Sequence, residues 1–377
     1  MKKVAIIQKE IPHYRTRFFE VLTQVARAEG FEITVFSGES SYGSLSPKFS
    51  YKIFPSRFMG KLGTGPFWLV GLEQAISGSD VIVAPQELRC LNVLPLWFKR
   101  QRLCETWIWW GHGYNHQFSA TSGWTRRVKE AVKLYVTRRA AGLITYTPGG
   151  AEFWNQKGMS EDWVSPYLNT LDVEGIREVA EHITEQSLAK VRDELGLNGK
   201  FVLLFSGRLY REKEVDFLLR AFKLIQRERP NTALLIMGEG DERQALETLV
   251  RELGLQQVFF LGGITDPSTS SLYFKLADIL AIPGLVGLAI VHGFALSLPL
   301  VTTESDFHGP EIEYLTPETG IMTRHDVRDY AEGILTLMEE RELLTAMRNA
   351  SFQRGNDLTF AKSTRRFVLA MKRFSHR

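Results

Sequence analysis

The chain has 377 residues, 44% hydrophobic and 24% charged, which are ordinary globular proportions over a length that one hydrophobic core rarely serves, so two domains are expected. A net charge of +3 does not mark a nucleic-acid binder, Cys90 and Cys104 fit no metal or CxxC spacing, and no apolar run is long enough to span a bilayer. The opening MKKVAIIQ reads as a strand rather than a signal peptide, and the expected location is the cytoplasm.

In chain order the sequence reads as βα units, twice over. KVAIIQ is a buried strand, IPHYRTRFFEVLTQVARAEG a loop and amphipathic helix, and FEITVFSG a second strand. GSDVIVAP, ETWIWWGHG and AGLITYTP supply further short strands with helical runs between them. A polar helical segment from Asp172 to Leu197 leads into a second series: KFVLLFSG, TALLIMGEG, VFFLGG, ADILAIP and LPLVTT. Parallel strands separated by helices predict doubly wound sheets.

One stretch, residues 281–303, joins a strand end, a glycine loop (Gly284, Leu285, Val286, Gly287, Leu288), an apolar helix and a β-branched strand. A loop at the carboxyl end of a sheet strand is where such sheets bind ligands, and its glycines let backbone N–H groups approach an anion beside a helix N-terminus. An ordinary tight βα turn has the same pattern.

The segments GRLYREKEVDFLLRAF, MGEGDERQAL, VFFLGGITD, ADILAIPG and LVGLAIVHGFALSLPLVTT resemble, in order and spacing, the carboxyl half of glycosyltransferase family 4, the retaining nucleotide-sugar enzymes. IPHYRTRFFEVL, WWGHGYN and YLNTLD extend a looser likeness to the first half. The resemblance implies an α/β GT-B fold: two Rossmann-like doubly wound domains facing a central cleft. Residues 1–170 would bind the acceptor and 171–356 the donor, with 357–377 a helix returning to the first domain.

By the same resemblance Arg208 and Lys213 would act catalytically by holding the donor diphosphate, a fork and a point charge suited to neighbouring phosphate oxygens. Arg211 is a less specific neighbour. The loop after VFFLGG (Gly262, Gly263, Ile264) would contact the base. The family's two glutamates, eight apart, fall here on Gly284 and His292. The expectations are that Gly284 vacates space for a bulkier or less hydroxylated sugar and that His292 holds a ribose hydroxyl, a backbone-bonded core histidine being the alternative. Glu311, in HGPEIEY, is a candidate replacement carboxylate or a solvated loop charge.

On the acceptor side, His13, Tyr14 and Arg15 follow strand one, and His112, the counterpart of a histidine that approaches the reacting sugar in relatives, follows the WIWW strand. Within residues 97–139, Lys99, Arg100, Arg102, Arg126, Arg127, Lys129, Lys133, Arg138 and Arg139 interleave with Trp97, Phe98, Trp124 and Tyr135. That basic, aromatic face suits an anionic membrane or a lipid-linked acceptor, or is merely a solvated helix. No cofactor is expected beyond a nucleotide-diphosphate sugar as co-substrate, and no metal, the Arg and Lys standing in for a divalent ion. A glycan or lipid-linked oligosaccharide in cell-surface polysaccharide or lipopolysaccharide synthesis is the expected acceptor. A non-catalytic sugar-nucleotide or glycan-binding homologue is the alternative. A dinucleotide oxidoreductase is disfavoured because no GxGxxG follows KVAIIQ.

Overall fold

The computed structural model describes residues 1–39, 47–58, 65–87, 89–113 and 124–376, with the side chains of 124–130 outside that description. Two compact units result: one takes the described residues up to Asp172 and resumes at Phe360, and the other is Val173–Thr359.

The first unit is built on a seven-stranded parallel sheet. Its strands are β1 (Lys2–Gln8), β2 (Phe31–Gly38), β3 (Tyr51–Phe54), β6 (Val81–Pro85), β7 (Thr106–Gly111), β8 (Gly142–Thr145) and β9 (Val164–Pro166), ordered β3-β2-β1-β6-β7-β8-β9. Strands β4 (Ser56–Phe58) and β5 (Phe67–Leu69) form a separate antiparallel pair. The central strands are apolar along their length because helices cover both faces of a parallel sheet; Val4, Ala5, Ile6 and Ile7 are all buried. The helix His13–Ala28 presents Phe18, Phe19, Leu22 and Ala26 to the sheet, one stripe at helical spacing.

The closing helix, Phe360–Phe374, belongs to this unit. It buries Phe360, Thr364, Phe367, Met371 and Phe374, a stripe recurring every three or four residues. Phe367 meets Trp110 at 5.0 Å and Tyr167 at 5.5 Å, Phe360 meets Phe18 at 5.7 Å, and Gly142 leaves room for the Phe374 ring where a Cβ would not. Ser363 donates to the carbonyls of Tyr167 and Leu168 at 2.9 and 2.7 Å, and Lys2 Nζ reaches the carbonyl of Ser375 at 3.2 Å. Each buried large apolar side chain here contributes about 1.5–3 kcal/mol.

The second unit carries β10 (Phe201–Ser206), β11 (Thr232–Met237), β12 (Val258–Gly262), β13 (Ile279–Ala281), β14 (Leu300–Thr303) and β15 (Gly320–Thr323), all parallel, in the order β12-β11-β10-β13-β14-β15. Order reverses between β10 and β13, the switch point outside which doubly wound sheets hold ligands. The polar segment after Asp172 is two helices, Val173–Glu181 and Glu185–Glu194, the second capped by Thr184, whose side chain accepts from the Ser187 N–H. The first is tied down by Arg177, which donates to Ala295, Asn356 and Phe352.

Candidate functional site

At the switch point of the second unit, the turn after β10 delivers Arg208 and then a short 3-10 helix, Arg211–Lys213. Arg208 is exposed at the strand mouth, whereas Lys213 is buried, 6% exposed. The Lys213 ammonium donates to the carbonyl of Leu285 at 2.6 Å and sits 6.0 Å from the Tyr210 ring. Burial pushes its pKa down to about 8, against the opposing pull of buried Glu311. Lys213 thus ties the β10 turn to the glycine loop after β13 and spends one of its three donors on it.

The glycine loop is held by backbone and by one histidine. The Leu285 N–H bonds the carbonyl of Glu212 at 2.7 Å, and Gly309 N–H bonds the carbonyl of Val286 at 2.7 Å. His308 accepts from the Val286 N–H at its Nδ1, 3.1 Å, and its Nε2 lies 2.7 Å from the Thr303 carbonyl, which assigns the Nε2–H tautomer. Burial lowers its pKa, so it is a neutral clamp. Neither this clamp nor the Lys213–Leu285 bond is legible in the sequence beyond the HGP of the loop that follows β14.

Three expectations are corrected here. A Cβ on Gly284 would collide with the Glu212 carbonyl oxygen and lie 2.7 and 2.8 Å from Lys213 C and O, so the position is filled by backbone and vacates nothing for a sugar. Open space lies instead at Gly287, where a Cβ meets nothing within 4 Å. His292 does not offer itself to a ribose: its ring stacks on Phe274 at 3.8 Å and 7°, with Nε2 sealed from solvent and unpartnered, and burial lowers its pKa to about 4. The third concerns the helix after the loop, which is only Ala289–Ala295, seven residues, with Leu288 at its N-cap making no side-chain cap hydrogen bond, so its dipole adds little.

The loop of Gly262, Gly263 and Ile264 is knit to its neighbours. Gly238 N–H bonds the Gly262 carbonyl at 2.8 Å, Gly207 N–H bonds the Met237 carbonyl at 3.0 Å, and a Cβ on Gly238 would strike the Gly207 carbonyl. Gly262 turns in the left-handed region at φ 78°, beside Glu239, which pairs with Arg243 at 2.5 Å. Gly263 is exposed and Ile264 half-buried. Glu311 is a buried neighbour of Lys213 rather than a solvated charge.

In the first unit, the carboxyl ends of the strands gather a second group. His13, Tyr14 and Arg15 start the helix after β1 rather than lying in a loop; His13 and Tyr14 are exposed and touch edge to face at 5.7 Å. Arg15 is half-buried, its guanidinium 5.1 Å from the Trp110 ring and 5.4 Å from the Tyr146 ring, and Nη2 donates to Asn169 Oδ1 at 3.2 Å. Tyr167 donates to the same oxygen at 2.6 Å. His112, exposed directly after β7, lies 4.3 Å from Tyr146 ring to ring. Trp110, Tyr146 and Asn169 were not singled out from sequence, although each lies at or just past a strand end.

Of the basic face, residues 114–123 and the side chains of Trp124, Arg126, Arg127 and Lys129 lie outside the described residues. Trp97 is corrected from surface to core, 2% exposed, with Arg100 stacked on it at 4.1 Å. Phe98 and Tyr135 are exposed at 68% and 51%, and Arg139 covers the Tyr135 ring at 3.7 Å. Lys99 is paired with Glu73 at 2.8 Å. Among the described residues no helix is long and apolar enough to cross a membrane, and no three His, Cys, Asp or Glu gather as metal ligands.

Residues 189–354 match the family model for glycosyl transferases group 1. An uncharacterized glycosyltransferase of Methanocaldococcus jannaschii is 33% identical over 149 residues, 38% of this chain and 36% of that protein. The alpha-monoglucosyldiacylglycerol synthase of Acholeplasma laidlawii is 25% identical over 134 residues, 34% of each. The matched stretch therefore spans about a third of the length of these relatives. Among solved structures, Anabaena HepE in complex with UDP superposes with a TM-score of 0.74 at 16% identity, over 99% of this chain and 100% of that one. Residues 189–354 thus form a domain of the glycosyl transferases group 1 type, in a chain with the GT-B fold.

Proposed function

We propose that the protein is a retaining, family 4 glycosyltransferase that moves a sugar from a nucleotide-diphosphate sugar to a glycan or lipid-linked acceptor. The observation that carries this reading is Lys213: a buried ammonium at the switch point of the donor-type sheet, with two donors unspent and a glycine loop fastened to it. As the sugar–phosphate bond breaks, negative charge grows on the leaving diphosphate, and a fixed ammonium with the exposed Arg208 stabilises that charge more than the ground state. The pair takes the part a divalent ion would play, so turnover is independent of added metal. HepE, with the same fold, has been solved with UDP and with UDP-glucose, which supports a uridine nucleotide as the first donor to try.

Exposed Phe98 and Tyr135, beside Arg100, Arg138 and Arg139, support peripheral contact with an anionic membrane from the cytoplasmic side, in the service of surface-polysaccharide or lipopolysaccharide synthesis. The test is thermal stabilisation by UDP and release of UDP from UDP-glucose, with and without EDTA. Stabilisation and release, both unaffected by EDTA, are expected. Nucleotide binding without turnover of any nucleotide sugar would make the protein a binding homologue, and turnover abolished by EDTA would remove the metal-free assignment.

A further inference from the structure

Among the described residues, the guanidinium of Arg15 has no counter-ion. It is half-buried against the rings of Trp110 and Tyr146, and it donates a hydrogen bond to the neutral Asn169 Oδ1. No carboxylate of any described residue lies within ion-pair reach of it. The side chains recorded against it are neutral: Trp110 from β7, Tyr146 after β8, and Asn169 after β9 with Tyr167 bonded to the same oxygen.

The surroundings are short of acceptors generally. Asn169 Oδ1 already takes two bonds, from Arg15 and from the Tyr167 hydroxyl. The helix His13–Ala28 begins without a side-chain cap and without an acidic residue in its first turn. Thr16 Oγ1 and the indole nitrogen of Trp110 are buried without a partner. A cation taken out of water without a compensating charge is costly, and ring faces return only part of that cost. Its remaining N–H donors form a planar fork that fits the oxygen pair of a phosphate or carboxylate.

We infer that this group receives an oxyanion carried by the acceptor, so that the acceptor is an acidic sugar or a phosphate-bearing lipid rather than a neutral glycan. The inference rests on the donor–acceptor reading above and narrows its acceptor class. Asn169 and Tyr146 orient the fork, and the Trp110 face prevents it from collapsing into solvent.

The test uses the full chain saturated with UDP, which occupies the Lys213 cluster and serves as an independent readout of that site. Glucose 6-phosphate, glucuronate and glucose are titrated by calorimetry, and vesicles of phosphatidylcholine with and without phosphatidic acid are tested by sedimentation. Binding of a charged probe at least tenfold tighter than its neutral counterpart is expected. That preference should vanish in Arg15→Gln with UDP affinity unchanged. Asn169→Asp, of the same size, hands Arg15 a carboxylate and should abolish the preference as well, which keeps the test valid should Arg15→Gln fail to fold. A preference confined to the soluble sugars identifies a free acidic sugar, and one confined to the vesicles a lipid-borne phosphate. No charge preference in either arm, or one that persists in both variants, overturns the inference. Failure of UDP to bind would instead sink the donor reading, and the charge preference would still be measurable.

Discussion

Each sheet has a cation placed just after the strand at its switch point, and the two are held by opposite means. Arg15, after β1, lies on aromatic faces and bonds neutral oxygens. Lys213, after β10, is buried against a main-chain carbonyl with Glu311 nearby. A guanidinium stays charged throughout the working range, whereas a desolvated ammonium becomes titratable, with its pKa brought down to about 8. The difference teaches that one topology can present a permanent charge on one sheet and a titratable charge on another, set by the residue chosen and, for the lysine, by its burial.

The largest expected effect comes from deleting the second cation. Lys213→Ala should lower kcat/KM for a nucleotide sugar by roughly 100- to 1000-fold, about 3–4 kcal/mol of transition-state stabilisation. Arg208→Ala should cost somewhat less because that side chain is exposed. Steady-state kinetics at saturating acceptor would read both. Turnover untouched in the two variants would leave Lys213 as a loop fastener only.

The glycine loop gives the next effect, on stability. Gly284→Ala forces a methyl onto the Glu212–Lys213 backbone and should destabilise the protein by roughly 2–3 kcal/mol. Gly287→Ala, into open space, should leave the melting temperature unchanged while weakening donor binding if a phosphate approaches that backbone. Denaturant unfolding of the pair checks this, and equal stability losses would mean the loop is packed alike at both positions.

Titration sharpens the contrast between the cations directly. The Lys213 pKa in the folded chain lies below its unfolded value, so its charge is present below about pH 8 and is lost above it. UDP affinity should therefore fall by about tenfold per pH unit above 8, apart from the shift that bound diphosphate itself imposes. The same pKa order means that stability of the unliganded protein rises between about 8 and the unfolded value, as the unfolded chain binds the extra proton. Binding at the Arg15 group should be flat over that range. Calorimetry across a pH series compares the two.

The smallest effect belongs to His292. Its folded pKa, about 4, also lies below the unfolded value, so the proton-linked cost of its burial is absent above pH 6.5 and draws stability away as pH falls from there toward 4. His292→Phe keeps the stack on Phe274 and removes the unpartnered nitrogen. It should raise stability by about 1 kcal/mol at pH 7 and flatten the acid limb of the unfolding curve. An unchanged acid limb would assign that limb to other groups.

The strands of both sheets were legible from runs such as VAII and VLLF because buried parallel strands announce themselves by continuous apolar residues. The edge strands β3, β9 and β15 were missed, with the β4–β5 pair, because half-exposed edge segments lack the continuous apolar run of the central strands. Lys213 and the glycine loop were picked out through the family resemblance, and the structure joins them by the Lys213–Leu285 bond. The Gly284 expectation failed because a sequence shows that a side chain is gone and not what fills the space; here a neighbouring backbone does. Asn169 and Tyr146 escaped notice because their role exists only once separate strand ends converge on Arg15.

The return of the final helix carries a consequence for how the protein is made. Ser363 completes hydrogen bonds to Tyr167 across 196 residues of chain, and Phe367 seals a core otherwise assembled from residues before Asp172. On the ribosome the second unit, Val173–Thr359, is contiguous and can close as soon as it has emerged, while the first waits with Phe18, Trp110 and Tyr167 lacking their cover. The unit translated first is thus the last to finish, its aromatic core closing only once the helix ending at Phe374 has been added.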